Sequence, residues 1–237
     1  MKSAIFRFKQ FSVAQNKCAM KVNTDGVLLG AWANVSYAKT ILDIGTGTGV
    51  IAMIMAQKNE QAIIHAIDID EQAFEQATEN FNACQWVNRL TAFHSSLQNF
   101  GLDDAVSYEC IISNPPYFID DFKTSNPQKN MAKHHVTLNY NELLAGINRL
   151  LSTTGKAFIE IPFHNFFVLK EIALQQNLFV TNLCEVIATT GKPPYLCLLQ
   201  LERNPKEFFK TTLQIMNGDE NFTEQYKLLT KDFYLKF

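Results

Sequence analysis

Ile41-Leu42-Asp43-Ile44-Gly45-Thr46-Gly47-Thr48-Gly49 is the stretch on which the fold turns. A short apolar run broken by one carboxylate reads as a buried strand, and glycines at alternate positions turn the chain sharply at its end. The apolar pattern of residues 50–57 then reads as a helix, so free backbone N–H groups face whatever lies beyond the strand. The same theme recurs outward along the chain. Ile63-Ile64-His65-Ala66-Ile67 predicts a second strand ending at Asp68, and Phe74, Ala77 and Phe81 fall on one face of a following helix. Thr91-Ala92-Phe93-His94 and residues 108–113 predict two more strands. Short buried strands alternating with helices imply a mostly parallel sheet covered on both faces.

The remainder extends this α/β pattern. Asn139 followed by Glu142 has capping-box spacing, and Leu143, Leu144, Ile147, Leu150 and Leu151 repeat on one face, which predicts a helix over 140–151. A strand over 156–161 and a helix over 166–176 follow. Residues 180–188 and 195–202 are β-rich runs joined by Thr189-Thr190-Gly191-Lys192-Pro193-Pro194, which suggests an antiparallel closing pair. Tyr226, Leu229 and Phe233 mark one final amphipathic element in the tail. No internal repeat, low-complexity segment or long linker divides the chain. We expect one domain over 1–237: a capping segment 1–39, a core 40–202 and a C-terminal extension 203–237.

With 237 residues, 47% hydrophobic, the chain has enough apolar material for a full core. The start, MKSAIFRFKQF, has no apolar signal core, and no apolar run reaches membrane-spanning length, so we expect a cytoplasmic protein that does not engage a membrane. Five scattered cysteines read as reduced core residues, and five histidines show no metal-ligand spacing, so no structural metal is expected. The net charge of −2 argues against a protein that coats nucleic acid by overall positive charge. Two local basic sets remain: Lys2, Arg7, Lys9, Lys17 and Lys21, and Lys123, Lys129, Lys133, His134 and His135. Each is either a phosphate-contacting surface or a solvated face.

Two strand ends carry the chemistry. At the first, the Gly45-x-Gly47-x-Gly49 spacing departs from a dinucleotide fingerprint, which puts its third glycine where Val50 stands, and this counts against a nicotinamide enzyme. Asp68, just over twenty residues after Gly45, stands where a carboxylate accepts both hydroxyls of a ribose. Asp70 suits the cap of the next helix, and Asp43 suits ordering of the glycine turn. At the second end, Asn114-Pro115-Pro116-Tyr117 follows the strand Cys110-Ile111-Ile112-Ser113. Adjacent prolines fix φ twice and remove two backbone donors, leaving carbonyls and an amide side chain as acceptors for a flat, amine-bearing group.

These residues, with the order of strands and helices over 40–202, resemble the class I S-adenosylmethionine-dependent methyltransferases. The resemblance implies a Rossmann-like, seven-stranded, mostly parallel sheet with an antiparallel closing strand and helices on both faces. It implies that Gly45, Gly47 and Gly49 face the amino-acid part of S-adenosylmethionine, that Asp68 binds its ribose, and that Ser96 stands where many members carry an acidic adenine contact. Asn114 to Tyr117 is similar to the motif of the branch that methylates planar nitrogen, with Asn114, Pro115, Pro116 and Tyr117 as the catalytic set and Asn114 also beside the cofactor. Phe11-Ser12-Val13-Ala14-Gln15 and residues 20–32, with the closing Asp232-Phe233-Tyr234-Leu235, resemble the bacterial valine-tRNA adenine-N6 methyltransferases. By that resemblance Lys21, Thr24 and Asp25 lie near the cofactor, whose binding Asp43 assists from within the first strand by ordering the glycine turn; the product is S-adenosylhomocysteine, and the partner is the anticodon stem-loop of valine tRNA, met by a monomer without an obligate protein partner. The motif also leaves guanine N2 of ribosomal RNA or a protein glutamine amide as acceptors, and a non-catalytic cofactor-binding RNA module as a different class.

Overall fold

The computed structural model describes residues 5–102, 106–115 and 138–236. Pro116, Tyr117, Lys2 and the basic set from Lys123 to His135 lie outside the described residues. The chain opens with a hairpin of β1 (Ile5–Arg7) and β2 (Ser12–Ala14), then α1 (Thr24–Trp32). The core proceeds through β3 (Thr40–Ile44), α2 (Val50–Lys58), β4 (Ile63–Asp68), α3 (Glu71–Asn82), β5 (Leu90–His94) and β6 (Tyr108–Ser113). It continues with α4 (Tyr140–Leu150), β7 (Leu151–Pro162), α5 (Phe166–Gln175), β8 (Phe179–Thr189) and β9 (Leu196–Glu202). The tail adds β10 (Phe209–Met216) and α6 (Glu224–Thr230).

Strands are ordered β10-β8-β9-β7-β6-β3-β4-β5, and β9 alone among them runs against its neighbours. Alternation along each strand feeds two cores. Ile41, Cys110, Ile112 and Phe158 pack towards α1, α2, α3 and α6, while Leu42, Ile44, Ile111 and Ile159 pack towards α4 and α5. The predicted capping box is present: Asn139 accepts from the Glu142 N–H, and the Glu142 carboxylate accepts from the Asn139 N–H.

Among the described residues the sheet has eight strands rather than the expected seven. The extra one, β10, pairs in parallel with β8 from Phe209↔Asn182 to Met216↔Thr189. Residues 209–212 are exposed and only Leu213 and Ile215 are buried, so its alternating signal is confined to half the strand. The tail therefore contributes a strand and a helix where one amphipathic element was predicted.

The first helix was not predicted as an element. Asn23 caps it by accepting from the Gly26 N–H at 2.9 Å, and all of 26–31 is buried. Gly30 allows close approach to α2, since a Cβ there would lie 2.9 Å from Ile54 Cγ2. The Lys58 ammonium donates to the carbonyls of Gly30, Ala31 and Ala33 at its other end. This charge complements the helix dipole, while burial pushes the Lys58 pKa down to about 8.

Candidate active site

Register brings the two chemical strand ends together. Ile44 pairs with Ile67 on one side and Ser113 on the other, so Gly45, Asp68 and Asn114 each stand one residue past a single row. Ser113 Oγ locks that row by donating to the Ile44 carbonyl at 2.9 Å. Neighbouring strands are about 4.8 Å apart, so a ligand lying across the row reaches all three residues.

The glycine turn is held from beneath. Gly45 and Gly47 have φ of +70° and +55°, and a Cβ on either would meet nothing within 4 Å, so the turn needs glycine conformationally and leaves its outer side open. Asp68 accepts from the Gly47 N–H at 2.8 Å and the Asp70 N–H at 3.0 Å, and burial raises its pKa. Asp70 caps α3 by accepting from the Gln72 N–H. Asp43 is fully buried; its Oδ2 accepts from Thr46 Oγ1 at 2.7 Å and the Ala52 N–H at 3.2 Å. Its Oδ1 has no hydrogen-bond partner among the described residues, and burial pushes the carboxyl up to about 7. A buried carboxylate oxygen left without a donor at the foot of a glycine turn suits a ligand bearing a cationic amine.

The N-terminal segment closes over this end. Asn80, on the buried face of α3, donates to the carbonyls of both Ala14 and Thr48 and accepts from the Ala14 N–H. Lys17, one of the basic set, is ion-paired with Glu75 and Glu79, and Gln15 accepts from the Val22 N–H. Lys21 is exposed. Ser96 is half-buried past the end of β5, its hydroxyl accepting from the Asn99 N–H at 3.3 Å, while the Ser95 N–H donates to the Asp68 carbonyl at the end of β4.

Asn114 lies against the start of α1. Its side chain is half-buried against the first turn of α1, where a Cβ on Gly26 would lie 3.3 Å from Asn114 Nδ2 and 3.4 Å from Asn23 Oδ1. Pro115 is buried behind it. Thr24 and Asp25, on the same turn, face a cavity of about 820 Å³ towards the β8–β10 side. There the Tyr195 hydroxyl donates to Asp25 Oδ1 at 2.8 Å, and Tyr234 hydrogen-bonds the side chains of Thr24 and Tyr226. The sequence-predicted residues thus fall into two groups: Asp43, Gly45, Gly47, Gly49 and Asp68 at the glycine end, and Thr24 and Asp25 beyond Asn114.

The model of the methyltransferase small domain family matches residues 20–159. Over 239 aligned residues, the chain is 38% identical to the tRNA1(Val) (adenine(37)-N6)-methyltransferase of Christiangramia forsetii and 40% identical to that of Parabacteroides distasonis, with all of each chain covered. The chain belongs to the tRNA1(Val) (adenine(37)-N6)-methyltransferase family. Solved structures share its architecture. A protein from Agrobacterium tumefaciens described as a predicted O-methyltransferase superposes with a TM-score of 0.70 at 14% identity, covering 88% of this chain and 96% of that one. A ribosomal protein L11 methylase from Lactobacillus delbrueckii gives 0.56 at 15% identity, covering 80% and 83%. At these identities the likeness is one of fold.

For a methyltransferase, the structure adds residues that sequence reasoning passed over. Asn80 and Gln76 are amides one helical turn apart on the otherwise apolar face of α3, a signal visible in the sequence. Tyr195 carried no such signal and Tyr234 stood out only as part of the closing motif, because only folding brings them to Thr24 and Asp25.

Proposed function

We propose that this protein transfers a methyl group from S-adenosylmethionine to N6 of the adenosine at position 37 in valine tRNA, in the cytoplasm. The observation that carries the reading is the common row Ile67–Ile44–Ser113, from which Asp68, the glycine turn and Asn114 emerge side by side. Full-length similarity to the named relatives supports the acceptor. The residues present fit the methyl donor: an open glycine turn, a carboxylate one strand away for the ribose, and the Asp43 oxygen for the amino group.

S-adenosylmethionine, when bound, supplies an electrophilic methyl on a sulfonium. The exocyclic amine of adenine is a weak nucleophile because its lone pair is delocalised into the ring. In this reading the Asn114 side-chain oxygen and the Pro115 carbonyl accept its two hydrogens, turn the lone pair towards the methyl carbon and favour the positive charge that develops on N6. Tyr117, later in the motif, supplies an aromatic face for the purine. The new N–C bond forms as the C–S bond breaks, and N6 then releases a proton to water. No strong base is required before transfer.

Unmodified valine tRNA incubated with the protein and S-adenosylmethionine should yield N6-methyladenosine on nucleoside mass spectrometry. Replacing Asn114 by alanine should lower kcat by about two to three orders of magnitude while S-adenosylhomocysteine binding is retained. Label appearing instead in guanosine or in protein glutamine would reassign the acceptor, and full turnover by Asn114→Ala would remove the mechanism.

A further inference from the structure

The cavity beyond Asn114 takes Thr24 and Asp25 into its wall but none of the glycine turn, Asp43 or Asp68, and its other walls are specialised. Phe6, Tyr195, Phe222 and Tyr234 reach it from four separate segments. They are braced rather than loose: Phe222 stacks on the buried Tyr226 with ring centroids 5.0 Å apart and planes 19° from parallel, and Phe6 meets Tyr234 edge-on at 6.3 Å. Arg7 and Lys236, both exposed, stand at its edge. At about 820 Å³ it is within the range of small-ligand sites.

Flat aromatic walls suit a π-face, and cations at the rim suit a phosphate. Inside, the Asp25 carboxylate, oriented by Tyr195, is an acceptor for a base amine. Asn23, Thr24 and Asp25 line the cavity from the same first turn of α1 that Asn114 packs against at Gly26, so an occupant here lies across that turn from the residue assigned to the target amine. We infer that this cavity binds one unstacked nucleobase flanking the target adenosine in the single-stranded RNA loop, with its phosphate at Arg7 and Lys236. The inference rests on the RNA acceptor proposed above and adds a second base-binding position to it. A flanking base drawn in here holds the loop open on one side of the target, so the target reaches Asn114 already unstacked.

The test uses the full-length protein, S-adenosylhomocysteine and an anticodon stem-loop oligonucleotide carrying 2-aminopurine at each position flanking the target in turn. One flanking position should change fluorescence on binding, and Phe222→Leu, which keeps apolar packing but removes the ring face, should abolish that change. The same variant should raise KM for the oligonucleotide about tenfold, with little change in kcat or in S-adenosylhomocysteine affinity. Arg7→Ala combined with Lys236→Ala should reduce the salt-dependence slope of RNA binding by about 1–2. A native protein that methylates the oligonucleotide while no flanking position responds, or an unchanged KM in both variants, overturns the inference and leaves the methyltransferase reading standing. Absence of any RNA methylation strikes at that reading first and removes the inference with it.

Discussion

Asp43 is a carboxylate that folding places out of reach of water. The Thr46 hydroxyl and Ala52 N–H serve one oxygen, but burial outweighs them and pushes its pKa up to about 7. The native state therefore keeps a proton that the unfolded chain has already released above about pH 4. Its stabilising contribution is complete below that point and is lost as pH rises through about 7. Chemical denaturation of the cofactor-free protein should show stability falling across this window, with a shallower fall in Asp43→Asn. A cationic amine beside Oδ1 favours the ionised form, so S-adenosylhomocysteine affinity should rise from pH 6 to pH 8 in the native protein and stay level in the variant. Asp68 acts differently, because both its oxygens already order backbone, at Gly47 and Asp70. Asp68→Ala removes a charged acceptor and a tie to the glycine turn together. Calorimetry should find S-adenosylhomocysteine affinity about 10- to 100-fold weaker, and undiminished binding would exclude Asp68 from the ribose site.

At the scale of elements, the glycine turn depends on the packing of α2 against α3. Gly49 has φ of +81°, and a Cβ there would come within 2.6 Å of Phe81 Cε1. Gly49→Ala should cost about 2 kcal/mol or more, from the left-handed backbone and the clash together. In a chain of this size that lowers Tm by roughly 5 °C or more, readable by calorimetry, and an unchanged Tm would mean that the Phe81 ring moves aside freely. The sequence announced the strands around this turn because β3 and β6 are buried on both faces and so read as continuous apolar runs. It did not announce α1, whose 26–31 stretch is buried all round and includes Gly26 and Gly30, so neither an amphipathic stripe nor helix propensity marks it. Packing on α2 and the caps from Asn23 and Lys58 make it a helix.

The whole molecule couples the two ends of the chain to the site. Strand ends made Gly45, Asp68 and Asn114 legible, since each stands at a boundary between an apolar run and a turn, while Asp43 stood out as the carboxylate inside its apolar strand. Tyr195 was not legible as a partner of Asp25, because the pair is 170 residues apart in sequence and is formed only when the start of β9 meets the first turn of α1. The tail extends this coupling. β10 covers the edge of β8, while Leu213, Ile215, Tyr226 and Phe233 are buried in the core that also holds α1 and α2. Phe8 bridges to Tyr234, and the Lys9 N–H donates to the Phe233 carbonyl, so the N-terminal hairpin also rests on the tail. Removing residues 203–237 should therefore do more than shorten the sheet: it opens an unpaired edge and exposes an apolar face beneath α1. The truncated chain should elute as aggregate in size-exclusion chromatography and lack a cooperative thermal transition, whereas the full chain shows one. A monomeric truncated protein with a sharp melt near that of the full chain would show that β3 to β9 hold the core unaided, and that the tail serves only the cavity beside Asn114.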